Sequence, residues 1–256
     1  DSALWEELRR KYRWAESQRV PVTSNDLNEI TKTIHSLLET EPTSSAIPEH
    51  ARQAAWYQRD DPRLNKVLHR VQAAALEPRL AAVQEKSGAK VPLDVLEVGT
   101  GAGRWASSFE WTKTKFVGID IREDLIRTAR DNFPEGCFDL LSSDLLFPYD
   151  SESFDLVFSV VVMHRYSATA KRTLFSEMWR VTRAGGRLLF LEDFVFTRQP
   201  ERPAVYSMSV TEFEDLVLDA TAGQVVLEHV ESLRYPDEDS HRSGLVSLLR
   251  LGAPKS

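Results

Sequence analysis

Residues 95–105 read VLEVGTGAGRW, in which an apolar run and one acid are followed by glycines at every second position. The run Leu93–Val98 is rich in leucine and valine and predicts a buried strand. Glycine adopts positive φ angles and lets the backbone approach a ligand without a Cβ collision. We therefore predict a strand that ends in a tight turn against a ligand, shaped by Gly99, Gly101 and Gly103.

Short apolar runs alternate with amphipathic segments after residue 90, which predicts βαβ units and a mostly parallel sheet covered on both faces. A loop too short for a parallel crossover joins the last two runs, so the last strand is predicted to be antiparallel. The predicted strands are 93–98, 115–120, 137–143, 154–162, 186–192, 224–233 and 244–251. The fold class is therefore α/β, with a doubly wound, seven-stranded, mostly parallel sheet.

The region before residue 90 has helical spacing, and we divide the chain into a helical N-terminal extension (1–90) and a sheet domain (91–256). The Asp-Pro pair ending at Pro62 predicts a helix start, and Pro78 is expected to kink or end that helix. The segment SVTE, beginning at Ser209, has the spacing of a capping box and predicts a helix through residue 218. We expect the extension to cover the ligand cleft as a lid.

The composition narrows the class of partner. The net charge of −7 disfavours a nucleic-acid partner, although a local basic groove can coexist with it. The single cysteine, Cys137, excludes an internal disulfide and fits a reducing, cytoplasmic location. We expect Cys137 to be a small buried side chain and not a nucleophile. No apolar stretch has membrane-spanning length, and nothing in the sequence indicates the oligomeric state.

The turn has the features of a nucleoside site. In doubly wound sheets, ligands bind at the carboxyl ends of the strands where the strand order reverses. Asp120 ends the second predicted strand 21 residues after Gly99, where its carboxylate can accept from both hydroxyls of a ribose. A helix predicted to begin near Arg104 would present its free N–H groups to the same ligand. A dinucleotide fingerprint needs a small residue at position 104, so the arginine favours another nucleoside.

At these residues the chain resembles the class I S-adenosylmethionine-dependent methyltransferases, whose first motif is an apolar strand, an acid and G-x-G-x-G. Asp144, in SSDLLFPYDSESFDLVFS, matches the acid after the family's third strand. The stretch EMWRVTRAGGRLLFLE matches its helix, glycine turn and fifth strand, with Arg183-Ala184 in place of the usual Lys-Pro. The resemblance implies a Rossmann-like methyltransferase fold, with S-adenosyl-L-methionine as cofactor and S-adenosyl-L-homocysteine as product.

The resemblance also implies a set of cofactor-binding residues. Glu97 would order the turn and reach the methionine amino group through water or backbone. Asp120 would bind the ribose, and Asp144 would accept from the adenine amino group. The full set is Glu97, Gly99, Gly101, Gly103, Asp120, Ile121, Asp144, Leu145, Ser159 and Val160. The alternative for Glu97 and Asp120 is that they simply solvate the ends of their strands.

His164, in VVVMHRY after the fourth predicted strand, lies where the methyl acceptor must sit. A hydroxyl acceptor needs a base, so we interpret His164 as that base; packing beneath the cofactor is the alternative. Loops on the same side of the sheet supply substrate candidates, for each of which solvation is the alternative. They are Arg165, Tyr166, Glu192, Asp193, Arg198, Tyr206 and His241. Glu192-Asp193 could join a third acid around a cation, but the usual metal-ligand spacings are absent and we predict no metal.

We therefore expect a methyltransferase for a small-molecule acceptor, most simply a hydroxyl of a sugar, polyol or secondary metabolite. The Asn/Asp-Pro-Pro-Tyr/Phe motif of nucleic-acid amino methyltransferases is absent, since the corresponding stretch reads SVVVMHRY. An alternative of another class is a catalytically silent protein that binds the cofactor and serves assembly or regulation. A dinucleotide oxidoreductase is a third and more distant reading.

Overall fold

A computed structural model of the chain describes residues 62–86, 92–195, 206, 208–233 and 242–252. Its helices are α1 (Pro62–Lys86), α2 (Glu123–Asn132), α3 (Ala168–Val181) and α4 (Val210–Thr221). Its strands are β1 (Leu93–Val98), β2 (Thr114–Asp120), β3 (Cys137–Leu140), β4 (Phe154–Val160), β5 (Thr182–Val195), β6 (Met208–Ser209), β7 (Val225–Leu233) and β8 (Arg242–Arg250). Arg198 and His241 lie outside the described residues.

The strands form one sheet in the order β3-β2-β1-β4-β5-β8-β7, with the two-residue β6 paired to the end of β5. The pairs from β3 through β5 are parallel, whereas β8 is antiparallel to both β5 and β7. The α/β class, the seven main strands and the antiparallel last strand are therefore confirmed. The strand order reverses between β1 and β4, so their carboxyl ends flank a crevice.

Two apolar cores lie on opposite faces of the sheet, because successive residues of each strand point to opposite sides. In β1, Leu96 and Val98 enter the core that contains α3 and α4 residues, whereas Leu93 and Val95 enter the core that contains α1 and α2 residues. Burial on both faces explains why the parallel strands read as nearly continuous apolar runs.

Helix α1 packs directly on the sheet. Leu76, Leu80 and Val83 are buried in the same core as Val95 of β1. The helix begins at Pro62 as predicted but does not end at Pro78, since it continues to residue 86. Pro78 has no N–H to donate to the carbonyl of residue 74, but both residues are exposed, so water can bond to that carbonyl. Packing of the buried face on the sheet stabilises the helix beyond this point. The rest of the extension lies outside the described residues.

The predicted capping box is present at α4. Ser209 Oγ accepts from the backbone N–H of Glu212 at 3.1 Å, and Glu212 Oε2 accepts from the N–H of Ser209 at 2.7 Å. The helix that it opens runs three residues beyond the predicted end, to Thr221. None of the described helices is long and apolar enough to cross a membrane.

The expectation that Cys137 is buried is wrong. Cys137 is exposed at the start of β3, an outer strand that pairs with β2. Partial burial and the adjacent Asp139 raise the pKa of its thiol, which disfavours the nucleophilic thiolate.

We expect Leu76→Ala to lower the free energy of unfolding by about 3 kcal/mol, because Leu76 is fully buried between α1 and the sheet. Leu218→Ala, at a side chain 45% exposed on α4, is the matched control and should cost less than about 1 kcal/mol. Denaturant titrations followed by circular dichroism and tryptophan fluorescence measure both. A loss no larger than the control, or a separate early transition, would show that α1 lies outside the cooperative core.

Candidate active site

A cavity of about 290 Å³ opens at the carboxyl ends of β1, β2 and β4, where the strand order reverses. Its walls come from the turn after β1, the end of β2 and the residues that follow it into α2, the segment after β4, and one residue of α1. The predicted site residues that line it are Glu97, Gly99, Gly101, Asp120, Ile121, Val160, His164, Arg165 and Tyr166. Cofactor and acceptor candidates therefore share one cavity.

The turn after β1 depends on its glycines. Gly99, Gly101 and Gly103 have φ angles of 72°, 56° and 83°, a region that side chains with a Cβ rarely adopt. At Gly99 an added Cβ would lie 2.4 Å from Cγ2 of Val162, so the segment after β4 packs directly on the turn. The close approach at Gly99 is thus to the protein's own chain, which joins the two walls of the cavity.

The helix expected near Arg104 does not form. Two successive β-turns take its place: the N–H of Gly103 donates to the Thr100 carbonyl at 3.0 Å, and the N–H of Ala106 donates to the Gly103 carbonyl at 3.0 Å. A single 3₁₀ turn, Ala106–Ser108, follows. The positive φ of Gly103 interrupts any α-helix there, and Trp105 turns inward to a 1% exposed position.

Asp120 closes the turn from the neighbouring strand. Its Oδ2 accepts from the N–H of Gly101 at 2.9 Å, and its Oδ1 accepts from the N–H of Arg122 at 2.9 Å. Burial raises the pKa of this carboxyl, and the two backbone donors oppose that shift. A carboxylate oxygen accepts more than one hydrogen bond, so Asp120 retains capacity for ribose hydroxyls.

Glu97 lies beneath the same turn and is 2% exposed. Thr100 Oγ1 donates to its Oε2 at 2.7 Å, which ties the side chain to the turn. Burial raises the pKa of Glu97 to about 8, against the Thr100 hydrogen bond and the charge of Arg104. A large fraction of Glu97 is therefore protonated at neutral pH, and a cationic ligand group would favour its ionised form.

The predicted adenine contacts are divided. Ile121 is 49% exposed in the cavity wall, an apolar surface suited to a flat base. Asp144 and Leu145 are not among the lining residues. Asp144 instead accepts from the Ser142 hydroxyl and, at 3.1 Å, from the N–H of Leu146, while Leu145 is buried. The loop after β3 thus uses the Asp144 carboxylate for its own turn.

The segment after β4 carries the acceptor candidates. His164 and Arg165 lie in a 3₁₀ turn, and the carbonyl of His164 accepts from the N–H of Tyr206 at 2.7 Å. Burial, followed by the charge of Asp120, raises the pKa of Tyr166 to about 12, so its hydroxyl is a donor and not a base. Ser159 is buried below the cavity and is not one of its lining residues.

The acids at the end of β5 occupy different environments. Glu192 is completely buried and does not line the cavity, so the substrate contact considered for it is replaced by contacts within the protein. Ser159 Oγ donates to its Oε1 at 2.7 Å. Asp193 is half-buried and also lies outside the lining set. Within the described ranges, no group of three or more His, Cys, Asp or Glu side chains is placed to hold a metal ion.

Several wall residues were not singled out from the sequence. Thr100 lies inside the glycine motif, three residues after Glu97, and a hydroxyl so close to an acid in the sequence is a signal that the two side chains could bond. Gln72 comes from α1, and Trp105 and Val162 point inward by tertiary packing. No spacing rule in the sequence brings these three to the cavity.

Residues 96–190 match a family model described as a methyltransferase domain. The domain that holds the cavity therefore resembles the class I S-adenosylmethionine-dependent methyltransferases. The resemblance found in the sequence motifs is thereby confirmed.

Curated relatives carry different activities in their names. The chain is 30% identical over 96 residues to the Homo sapiens protein named "Probable tRNA methyltransferase 9B", covering 37% of this chain and 20% of that protein. It is 28% identical over 176 residues to the ubiquinone/menaquinone biosynthesis C-methyltransferase UbiE of Hahella chejuensis, covering 62% of this chain and 67% of that protein. The chain thus spans about a fifth of the length of the tRNA methyltransferase relatives that it matches.

Solved methyltransferases share the fold. Magnesium protoporphyrin IX methyltransferase of Synechocystis PCC 6803, with bound S-adenosylmethionine, superposes with a TM-score of 0.57 at 14% identity, over 79% of this chain and 91% of that one. Geranyl diphosphate methyltransferase, in complex with GPP and sinefungin, superposes with a TM-score of 0.59 at 15% identity, over 81% of this chain and 96% of that one. The Rossmann-like methyltransferase fold is confirmed.

The residues present fit the family's cofactor, S-adenosylmethionine. The turn has no Cβ at Gly101, where it meets the cavity. Asp120 offers carboxylate oxygens for hydroxyls, Ile121 offers an exposed apolar surface for a base, and Glu97 offers a buried carboxyl for a cationic group. These features match, in order, the methionine, ribose, adenine and ammonium parts of that molecule.

Binding of S-adenosylhomocysteine should tighten as the pH rises from 6 to 8. Glu97 is mostly protonated at the start of this range, because its pKa is raised to about 8, and its ionised form favours the ligand's ammonium group. The limiting slope is about tenfold in affinity per pH unit. Calorimetric titrations at several pH values measure it.

Glu97→Gln should flatten this profile, because the neutral amide has no proton to lose. Glu177→Gln is the matched control, since Glu177 is also buried but has a lowered pKa and lies outside the cavity lining. It should keep the wild-type slope. A flat wild-type profile, or an unchanged slope in Glu97→Gln, would contradict this account of Glu97.

Proposed function

We propose that this chain transfers a methyl group from S-adenosylmethionine to a hydroxyl of a small molecule such as a sugar, a polyol or a secondary metabolite. One observation carries the proposal: a single cavity is lined by the glycine turn and Asp120 on one side and by His164 on the other. The first set suits the cofactor, and an imidazole suits proton transfer from an acceptor.

Bound S-adenosylmethionine supplies a methyl carbon activated by the adjacent sulfonium. His164 takes the hydroxyl proton as the acceptor oxygen bonds to that carbon and the carbon–sulfur bond breaks. The products are a methyl ether, S-adenosylhomocysteine and protonated His164, which returns its proton to solvent. The enzyme's main contribution is alignment of the acceptor and exclusion of water, and Trp105, Val160 and Val162 give the cavity an apolar wall for this purpose.

Arg165 and Tyr166 are the proposed acceptor contacts nearest to His164. Both line the cavity; Arg165 is exposed at its rim, and Tyr166 presents a hydroxyl that stays protonated. Tyr206 is a further candidate because its backbone is bonded to His164. Asp193, Arg198 and His241 remain sequence-based proposals, with Asp193 outside the cavity lining and the other two outside the described residues.

A nucleic-acid acceptor is the alternative that the tRNA methyltransferase relatives raise. The net charge of −7 opposes it, because phosphate backbones bind through clustered lysine and arginine. A carbon acceptor is the alternative that the UbiE relative raises, and it too needs a base when a proton must leave carbon. A catalytically silent cofactor-binding protein is the third alternative.

We expect a screen of hydroxylated small molecules, with isotopically labelled methyl donor, to yield a labelled O-methyl product that mass spectrometry identifies. His164→Ala should lower kcat by about 100-fold to 10,000-fold through loss of the base, while the affinity for S-adenosylhomocysteine changes less than about threefold. His229→Ala is the matched control: His229 lies on β7, pairs with Glu231 at 3.2 Å and does not line the cavity.

The outcomes separate the alternatives. Labelled tRNA or a carbon–methyl product would overturn the acceptor class but leave the methyltransferase activity. Binding of S-adenosylhomocysteine without transfer to any acceptor, tRNA included, would favour the silent protein. Full turnover of His164→Ala across the pH range would remove the base assignment alone.

A further inference from the structure

We propose that Glu192 is a positioning residue for the acceptor side: its buried side chain holds the segment 161–166 against the glycine turn and so places His164 in the cavity. The inference rests on the proposed function, in which His164 acts on the acceptor. Glu192 itself does not line the cavity, so its effect is exerted through the segment.

The hydrogen bonds of Glu192 are directed at the start of that segment. Its Oε2 accepts from two successive backbone N–H groups, those of Val162 at 2.9 Å and Met163 at 3.0 Å. Its Oε1 accepts from Ser159 Oγ at 2.7 Å, at the end of β4. Glu192 is 0% exposed, so no water competes for these donors. The next residue after the two bonded amides is His164.

The segment needs such a restraint because its first residue is strained. Val161 has a φ angle of 58°, which is a rare conformation for a β-branched residue and costs about 1–3 kcal/mol. Its N–H donates to the carbonyl of Leu191 at 2.7 Å, and the next amide along the chain donates to Glu192. The end of β5 thus holds both amides that fix the strained residue.

The restrained segment also meets the cofactor turn. The side chain of Val162 fills the space over Gly99 where a Cβ would stand. Loss of the Glu192 bonds would free Val162 to move from the turn and His164 to move with it. A displacement of about 1 Å at reacting groups can cost on the order of 100-fold in rate.

The reach of the Glu192 side chain places its oxygens against the two amides, so reach and charge are the two properties that variants must separate. All three groups bonded to Glu192 are donors, yet burial raises its pKa to about 8 against them. The carbonyl oxygen of a glutamine could accept from Val162 and Met163 in place of Oε2, and its amide could donate to Ser159, whose hydroxyl also accepts. An aspartate keeps the charge but withdraws its oxygens by one methylene.

The test compares Glu192→Gln, Glu192→Asp and Glu192→Ala with Asp155→Ala. Asp155 is a matched control, since its Oδ2 accepts from the N–H of Asp94 at 2.9 Å at the opposite end of β4. Amide hydrogen exchange at Val162 and Met163 and calorimetry with S-adenosylhomocysteine are measured for each. The kcat and KM of each variant are also measured with the acceptor found in the labelling screen.

We expect Glu192→Asp and Glu192→Ala to speed hydrogen exchange at the backbone amides of Val162 and Met163 by about tenfold or more, because these two amides lose the carboxyl oxygen to which they donate. Both should lower kcat by about tenfold or more, with the affinity for S-adenosylhomocysteine changed less than about fivefold. Glu192→Gln should stay within about threefold of wild type in every readout. Asp155→Ala should leave exchange at the two amides unchanged even where it lowers stability.

Unchanged exchange in Glu192→Asp, failure of Glu192→Gln to match wild type, or equal loosening in Asp155→Ala would overturn the proposal. Should Glu192→Ala not fold, the Asp and Gln pair still decides it. Should no acceptor be methylated by the wild type, the proposed function fails, while exchange still shows whether Glu192 holds the segment.

Discussion

The fold of the site depends on one carboxylate that joins two strands. Asp120, at the end of β2, accepts from the N–H of Gly101, and the N–H groups of Gly99 and Thr100 donate at 2.8 and 3.0 Å to the Ile119 carbonyl beside it. The glycine turn is thus fixed to β2 although it follows β1. Because ligands of doubly wound sheets bind where these strand ends meet, this link gives the cavity a defined floor.

Two buried glutamates fix the remaining parts of the cavity wall. Glu97 holds the glycine turn through Thr100, and Glu192 holds the segment after β4 through its backbone amides. Burial raises the pKa of both carboxyls to about 8, because their surroundings disfavour the charged form. Buried polar groups of this kind cost stability but specify a unique arrangement when every bond is satisfied. Here the arrangement is the contact between the glycine turn and the segment 161–166, made by Val162 on Gly99.

Much of this architecture could be predicted from the sequence, and what was missed has physical causes. Runs buried on both faces identified the strands, and loop length identified the antiparallel β8. The spacing of Gly99 and Asp120 identified the cavity. The helix expected near Arg104 failed because positive φ at Gly103 and the inward turn of Trp105 are set by tertiary packing. The sequence does not reveal that Glu192 is buried, because it accepts hydrogen bonds from amides that lie some thirty residues away along the chain.

The central claim is that the cavity at the glycine turn holds the nucleoside of S-adenosylmethionine. Calorimetric titration of the whole chain with S-adenosylhomocysteine, with NAD in parallel and with Asp120→Ala as the variant, tests it directly. The account predicts saturable binding of S-adenosylhomocysteine, no measurable binding of NAD, and a loss of at least about tenfold, or 1.4 kcal/mol, in the variant. No heat with S-adenosylhomocysteine, or preferential binding of NAD, would contradict it.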